Sequence, residues 1–377
     1  MPLQFRKVLI APERFESAGV FDVNGDGIPD IVSGAFWYEG PHFKKQHRLA
    51  RLEPHGEYFD DFSTLPLDIN GNGRLDFITG GWWGKTLRWR ENPGAPGGLW
   101  PEHVIAETGS IEATRAWDVD GDGELEYVPN TPNDPLVVYK LIRNARGGGA
   151  GRFAAHKLKF AGRDNDRQGH GLGFGNVSGK AGGGGGARGD FVLRDGWLEA
   201  PERPYEDEWI WHPEFQLPAL ASVPVIVADL NGDGAGELIA GNGHGYGLSW
   251  WNREPGGRWR EHPIDPLNGE YHDLQWLDID GDGQCELITG KRFRAHPYGE
   301  PGVHDAYGWY VFKWTGEGFA KHVADFGPVG EKHGLGIAFA VADLNGDGRL
   351  DVVAPGKDGL AIYYNEGDGG LLEMPVV

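Results

Sequence analysis

Cysteine is almost absent from this chain: a single one, Cys285, in 377 residues excludes a disulfide framework and any CxxC metal or redox motif. Positive charge is also short. Thirty-five Lys and Arg against 56 Asp and Glu leave a formal net charge of -21, which argues against a nucleic-acid partner, because phosphate binding needs clustered cations to displace counterions. The same balance suits metal cations and neutral or locally steered ligands. No apolar run approaches the roughly 18 residues of a membrane span, and the opening MPLQFRKVLIAPERF lacks the apolar stretch of about 7 residues that a secretory leader requires. The sequence reads as soluble and cytoplasmic with no membrane partner, or as secreted where an export signal has been trimmed. Helical 3.6-residue periodicity is missing throughout. Nucleophilic Ser or Cys motifs, phosphate loops and dinucleotide fingerprints are missing too, which weakens covalent hydrolase, kinase and dehydrogenase readings.

What the chain has in abundance is glycine, tryptophan and a repeat. An apolar stretch, then DxNxDG or DxDxDG, two residues, an acid and a short β-branched run recur at Asp22, Asp68, Asp118, Asp229, Asp278 and Asp343, with a degenerate copy at Asn176 whose acids give way to a glycine run. The starts lie 46, 50, 58, 53, 49 and 65 residues apart, and the two ends together supply one more period. An aromatic-led alternating segment precedes most units, and Phe5–Ile10 is a further copy stranded ahead of the first. Period-2 alternation bounded by Gly, Pro and Asn is strand and turn chemistry. Four short strands per unit of about 50 residues describe a propeller blade. The expectation is one all-β domain over residues 1–377, a seven-bladed β-propeller whose N-terminal strand pairs into the last blade and closes the ring.

The repeat also predicts metal loops. Oxygen side chains at offsets 0, 2, 4 and 8, with glycine at offset 5, match the first part of a cation-binding loop, where short side chains converge and glycine allows the sharp turn. The expected ligands are Asp22, Asn24, Asp26 and Asp30; Asp68, Asn70, Asn72 and Asp76; Asp118, Asp120, Asp122 and Glu126; Asp229, Asn231, Asp233 and Glu237; Asp278, Asp280, Asp282 and Glu286; and Asp343, Asn345, Asp347 and Asp351. Nineteen of these 24 residues are carboxylates, whose mutual repulsion in tight turns calls for divalent cations. Five or six structural Ca2+ ions are expected, with Mg2+ as the second choice and the Asn176 copy empty.

If each pre-loop strand is the innermost of its blade, its first residue reaches the opposite rim near the axis. Six residues before each loop start stand Glu16, Phe62, Glu112, His170, Val223, His272 and Ile337; just beyond each return strand stand Asn130, Arg194, Asp195, Asn242, His244, Lys291, Arg292 and Lys357. Of 14 histidines, His47, His103, His156, His262 and His322 recur on the outer strand and read as packing. His170, His244, His272, His296, His304 and His333 fall unevenly on rim segments, which favours one composite site over a ligand site repeated between blades. The long segment Lys291–Ala306 adds to that rim. Arg188-Gly189-Asp190 matches an adhesion tripeptide, but Asp190 reads more simply as the start of a strand.

With six regular DxNxDG or DxDxDG copies, the chain resembles the FG-GAP or VCBS repeat propellers, which include integrin alpha-subunit heads; the resemblance implies the fold and the structural calcium. The segments GHGLGFG followed by GWLEAP, GHGYGLSWW, and YHDLQWLDIDGDGQCELITGKRFRAH are similar to the propeller portion of the aldos-2-ulose dehydratases and related propeller lyases. That resemblance implies a catalytic site of His170, His244, Tyr246, His272, Lys291, Arg292, His296 and His333 and a carbohydrate substrate. The expected reaction is β-elimination on a keto-sugar or uronate: His272 as base, Lys291 and Arg292 stabilising the enolate, Tyr246 or His244 protonating the leaving oxygen. A single transition metal on two or three of these histidines is the other way to stabilise that charge. The rival expectation is a non-catalytic carbohydrate-binding or protein-interaction propeller. The oligomeric state is left open.

Overall fold

The computed structural model describes residues 3–95, 97–180, 189–296 and 299–367, and every regular element among them is a β-strand. Seven antiparallel four-stranded sheets form the expected propeller; six follow sequence order, the seventh takes its outer strand from the N-terminus, and blade 4 gains a parallel edge strand, Phe160–Ala161. Blade 1 contains Gly19–Phe21, Asp30–Ser33, Phe36–Glu39 and Lys45–Arg48. Blades 2 to 6 begin at the inner strands Leu65–Leu67, Ala113–Trp117, Leu172–Gly175, Ile226–Ala228 and Tyr271–Leu277. Blade 7 combines Ala340–Ala342, Asp351–Gly356 and Gly359–Asn365 with the N-terminal Phe5–Ala11, which pairs antiparallel with Gly359–Asn365 from Phe5 opposite Asn365 to Ala11 opposite Leu360. Closure by the N-terminal strand is therefore as the sequence predicts, and it removes the open edge that a free last blade would present.

The second strand of every blade is buried along its whole length, from Asp30–Ser33 in blade 1 to Asp351–Gly356 in blade 7. These are the short β-branched runs that follow each acidic loop, and neighbouring blades cover both of their faces. Among the described residues the cores lie between blades: Ile31 and Tyr38 of blade 1 pack with Val353 and Ile362 of blade 7, and Ile288 and Val311 of blade 6 pack with Val352 and Ala354 of blade 7. Outer-strand histidines pack within their own blades, each against the tryptophan opposite it on the third strand. His47, His103 and His262 stack on Trp37, Trp89 and Trp250 at 4.0, 4.3 and 4.2 Å between ring centres, and His212 does the same with Trp197 at 4.1 Å.

The last acid of each repeat works as a staple. Asp30 accepts backbone N–H bonds from Val23 at 2.9 Å and Gly40 at 2.7 Å, Asp76 from Ile69 and Asn92, and Asp351 from Leu344 and Asn365. Asp190 of the degenerate copy does this too, accepting from Val177, Ser178 and Ala200. It begins strand Asp190–Leu193, as read from the sequence, while Arg188 and the glycine run 182–186 lie outside the described residues. On the axis, Arg115 reaches across the ring to Asp273 at 2.7 Å and to the carbonyls of Val223 and Ile337.

Candidate functional site

At the rim opposite the acidic loops, an open pocket of about 660 Å³ has an aromatic wall and a polar floor. The wall consists of Tyr58, Phe62, Trp82 and Trp83. Tyr58 comes from a small hairpin between blades 1 and 2, Pro54–His55 against Tyr58–Phe59, whose His55 stacks on Trp83 at 4.8 Å. Trp82 remains 39% exposed at the mouth, an apolar face available to a ligand.

The floor gathers Glu112, His170, His244 and His272, all buried, with one ligand atom from each lying within 4.8 Å of the others. Glu112 and His170 sit just before the inner strands of blades 3 and 4, His272 lies on the inner strand of blade 6, and His244 is in the turn between Glu237–Gly241 and Tyr246–Arg253 of blade 5. Glycines permit the approach: a Cβ on Gly243 would come within 3.1 Å of the His272 ring, and Gly171, at φ +107°, would place one 2.9 Å from the Ala221 Cβ.

Hydrogen bonding sets the imidazole tautomers. His170 Nδ1 donates to the Ala221 carbonyl at 2.7 Å, and His244 Nδ1 donates to Glu300 Oε1 at 2.9 Å. In the neutral ring each leaves Nε2 bare. Yet the two Nε2 atoms face each other at 3.2 Å, and Glu112 Oε1 lies 2.8, 3.2 and 3.9 Å from the Nε2 atoms of His272, His170 and His244. Lone pairs so converged repel unless a cation or proton lies among them. Burial opposes ionisation of Glu112, but the charge and hydrogen bonds of the histidines outweigh it and hold the carboxyl well below the usual range. Burial, reinforced by the Arg292 charge, holds His272 well below the ordinary imidazole value against the Glu112 hydrogen bond, which keeps it neutral. Three imidazoles and a carboxylate are the donor set of a mononuclear transition-metal site, and the Nδ1 bonds of His170 to a carbonyl and of His244 to a carboxylate are the outer partners such ligands use.

His296 lies beside this floor. Its ring stacks on His244 at 4.8 Å and its Nδ1 bonds the same Glu300 oxygen, while Glu300 Oε2 accepts the His296 backbone N–H at 2.9 Å. The structure thus brings together four of the eight sequence-predicted residues: His170, His244, His272 and His296. Lys291 instead makes a buried ion pair with Glu270 at 2.7 Å and also donates to the Gly302 carbonyl. Arg292 reaches the pocket wall, but Glu16 neutralises it in a two-point pair at 2.8 and 3.3 Å. Tyr246 donates outward to Asp305 at 2.7 Å. His333 is buried away from this floor with neither ring nitrogen hydrogen-bonded, and burial lowers it to about 4. Glu112 was legible as a rim position; Glu300, Tyr58, Trp82 and Trp83 were missed. The signals present were the GGWWGK break in the strand pattern and an acid in the long Lys291–Ala306 segment.

In the acidic loops, the first aspartate accepts backbone bonds from both glycines, as Asp22 does from Gly25 at 2.7 Å and Gly27 at 2.8 Å. The two DxDxDG loops share another feature. Lys140 Nζ lies 2.6, 2.6 and 2.9 Å from Asp120, Asp122 and Glu126, and Lys313 Nζ lies 2.5, 2.5 and 3.2 Å from Asp280, Asp282 and Glu286. The loops with an extra acid therefore carry their own ammonium.

Together, blade topology and loops define the class, a seven-bladed β-propeller built on acidic-loop repeats. Residues 229–289 match the FG-GAP-like repeat family. No curated protein matches the sequence. Among solved structures, Saccharomyces cerevisiae Sqt1 is similar at 11% identity over 98% of this chain and 100% of that one, with a TM-score of 0.51. An Agrocybe aegerita lectin that recognises non-reducing terminal N-acetylglucosamine is similar at 14% identity over 97% of this chain and 94% of that one, with a TM-score of 0.47. At 11% identity the likeness to Sqt1 concerns the fold alone.

Proposed function

We propose that this propeller is a metal-dependent carbon–oxygen lyase acting on a keto-sugar or uronate-type carbohydrate. The observation that carries the reading is the convergence of three imidazole Nε2 atoms on Glu112 at the floor of an aromatic pocket. A divalent transition metal held by His170, His244, His272 and Glu112 would act there as Lewis acid toward the substrate carbonyl or carboxylate. Trp82, Trp83 and Tyr58 present apolar faces on which a sugar ring stacks. His272 serves in this reading as a ligand and not as the base, because it is fully buried with Nε2 on Glu112. His296 takes the base role: with Nδ1–H held by Glu300, its Nε2 accepts the proton α to the carbonyl. The C–H electron pair forms the new double bond, the β C–O bond breaks, and the His296 imidazolium returns its proton to the departing oxygen. The sequence resemblance to the propeller lyases supports the same chemistry.

A second reading, carbohydrate binding without turnover, is favoured by one observation: Lys291 and Arg292 are each neutralised by a buried glutamate, which leaves neither free to stabilise an enolate. The two are separated by following ultraviolet absorbance of unsaturated products over a panel of uronates and keto-sugars, with zinc- or manganese-loaded protein. Turnover that a chelator abolishes and the metal restores is the expected result. Calorimetric binding without turnover would establish the second reading, and absence of both would sink the pair.

For the acidic loops we propose structural calcium only where no lysine intrudes, at the copies beginning at Asp22, Asp68, Asp229 and Asp343. Elemental mass spectrometry of the purified protein should find no more than about four Ca2+, the ammonium groups of Lys140 and Lys313 already compensating the other two loops. The double substitution Lys140→Ala and Lys313→Ala should raise that number by about two. Six Ca2+ in the unsubstituted protein would refute the assignment.

A further inference from the structure

We infer that Glu300 is a positioning residue that ties His296 to the metal floor, so that metal binding and the holding of His296 at this side of the pocket are coupled. The inference rests on the metal reading above, but it concerns a residue that is not itself a ligand of that floor. A single oxygen, Glu300 Oε1, accepts from Nδ1 of both His244 and His296, and Oε2 accepts the His296 backbone N–H. His244 can offer Nε2 to a metal only while its proton stays on Nδ1, and the Glu300 bond is what holds it there. The group is only partly exposed, its side chain 14% accessible beside a His244 side chain that is 5% accessible. The charges facing this contact are Glu112 and Glu270 from the floor and blade 6, and Arg292 with its partner Glu16 from the inner rim.

Two consequences follow from this geometry. Losing the carboxylate frees His244 to turn or to change tautomer, which weakens metal binding without deleting a ligand. By reciprocity, whatever factor the Glu300–His296 contact contributes to metal affinity, the metal returns to the stability of that contact. The wall side of the pocket, where Ala295 and His296 sit against Tyr58, is then held more firmly in the metal-loaded protein.

Zn2+ titrated into metal-free full-length protein against a chromophoric chelator tests this, with circular dichroism confirming that each variant is folded. Glu300→Gln is expected to bind Zn2+ about 10- to 100-fold more weakly than the unsubstituted protein. Glu300→Asp should fall between the two, and His296→Ala, which removes no proposed ligand, should stay within about threefold. Hydrogen exchange supplies the readout that a loss of general stability would not produce: amides of residues 292–296 and 299–305 should slow on Zn2+ addition in the unsubstituted protein and not in Glu300→Gln. Equal Zn2+ affinity of Glu300→Gln and the unsubstituted protein, or exchange in these residues indifferent to Zn2+, would overturn the inference and leave the metal site standing. Failure of the unsubstituted protein to bind Zn2+ at all would overturn the metal reading beneath it.

Discussion

Replacing His272 with alanine is expected to weaken transition-metal binding by about 10²- to 10³-fold. The magnitude comes from dividing the roughly 10–16 kcal/mol of a four-ligand zinc site among its ligands, which gives about 2.5–4 kcal/mol each. His272 suits the test because its side chain is fully buried and neutral and its Nε2 lies 2.8 Å from Glu112 Oε1. Removing it leaves two imidazoles and a carboxylate, a set that still attracts a metal but holds it poorly. The measurement is the same chelator competition, supported by thermal unfolding. In the unsubstituted protein, metal at a thousand times its dissociation constant should stabilise the fold by about 4 kcal/mol, and that increment should shrink in the variant. A His272→Ala protein that holds zinc as tightly as its parent would remove this residue from the ligand set.

The second large effect is expected on the axis. Arg115→Ala should cost about 3–5 kcal/mol of stability, because it leaves the Asp273 carboxylate buried without its partner. Burial pushes Asp273 up to about 7 even with the Arg115 charge and the Phe339 and Leu274 backbone N–H groups drawing it down. An acid whose folded value lies above its unfolded value of about 3.9 loses stability as pH rises between the two, and the loss stops above the folded value. Without Arg115 the folded value moves higher still, so the deficit of the variant should be smallest in mild acid, where Asp273 is protonated, and should grow as pH rises through and beyond about 7. Urea midpoints at several pH values provide the check. A deficit that does not depend on pH would show that Asp273 is not the group responsible. The double variant Arg115→Met with Asp273→Leu should recover most of the loss, since apolar replacement of a buried pair is often neutral or better.

Each predicted inner-rim position illustrates how far one-dimensional reading reaches. Glu112, His170 and His272 stand six residues before their loop starts, and because every blade repeats the same strand-to-loop spacing, they lie together at one mouth. Their spacing alone did not assign roles. His272 looked like a base and sits as a buried partner of Glu112; Lys291 and Arg292 looked like free cations and are paired with Glu270 and Glu16. Glu16 and Arg292 are 276 residues apart, and local pattern contains nothing that couples them. The lysines show the same limit. Lys140 and Lys313 follow their acidic loops by a whole strand, and only the return of that strand beside the loop brings the ammonium onto the carboxylates.

The sequence by itself determined what repeats at short range: seven copies of loop and β-branched strand, a displaced outer strand at the N-terminus, and hence a closed ring of blades. These features follow from backbone preference and side-chain period, which act over a few residues at a time. Only the tertiary structure decided which charges are already spent, which imidazole nitrogens are bare, and that Tyr58, Trp82 and Trp83 wall the pocket above them. Those outcomes depend on distances across the ring axis between residues from different blades, and such distances exist only once the ring has closed.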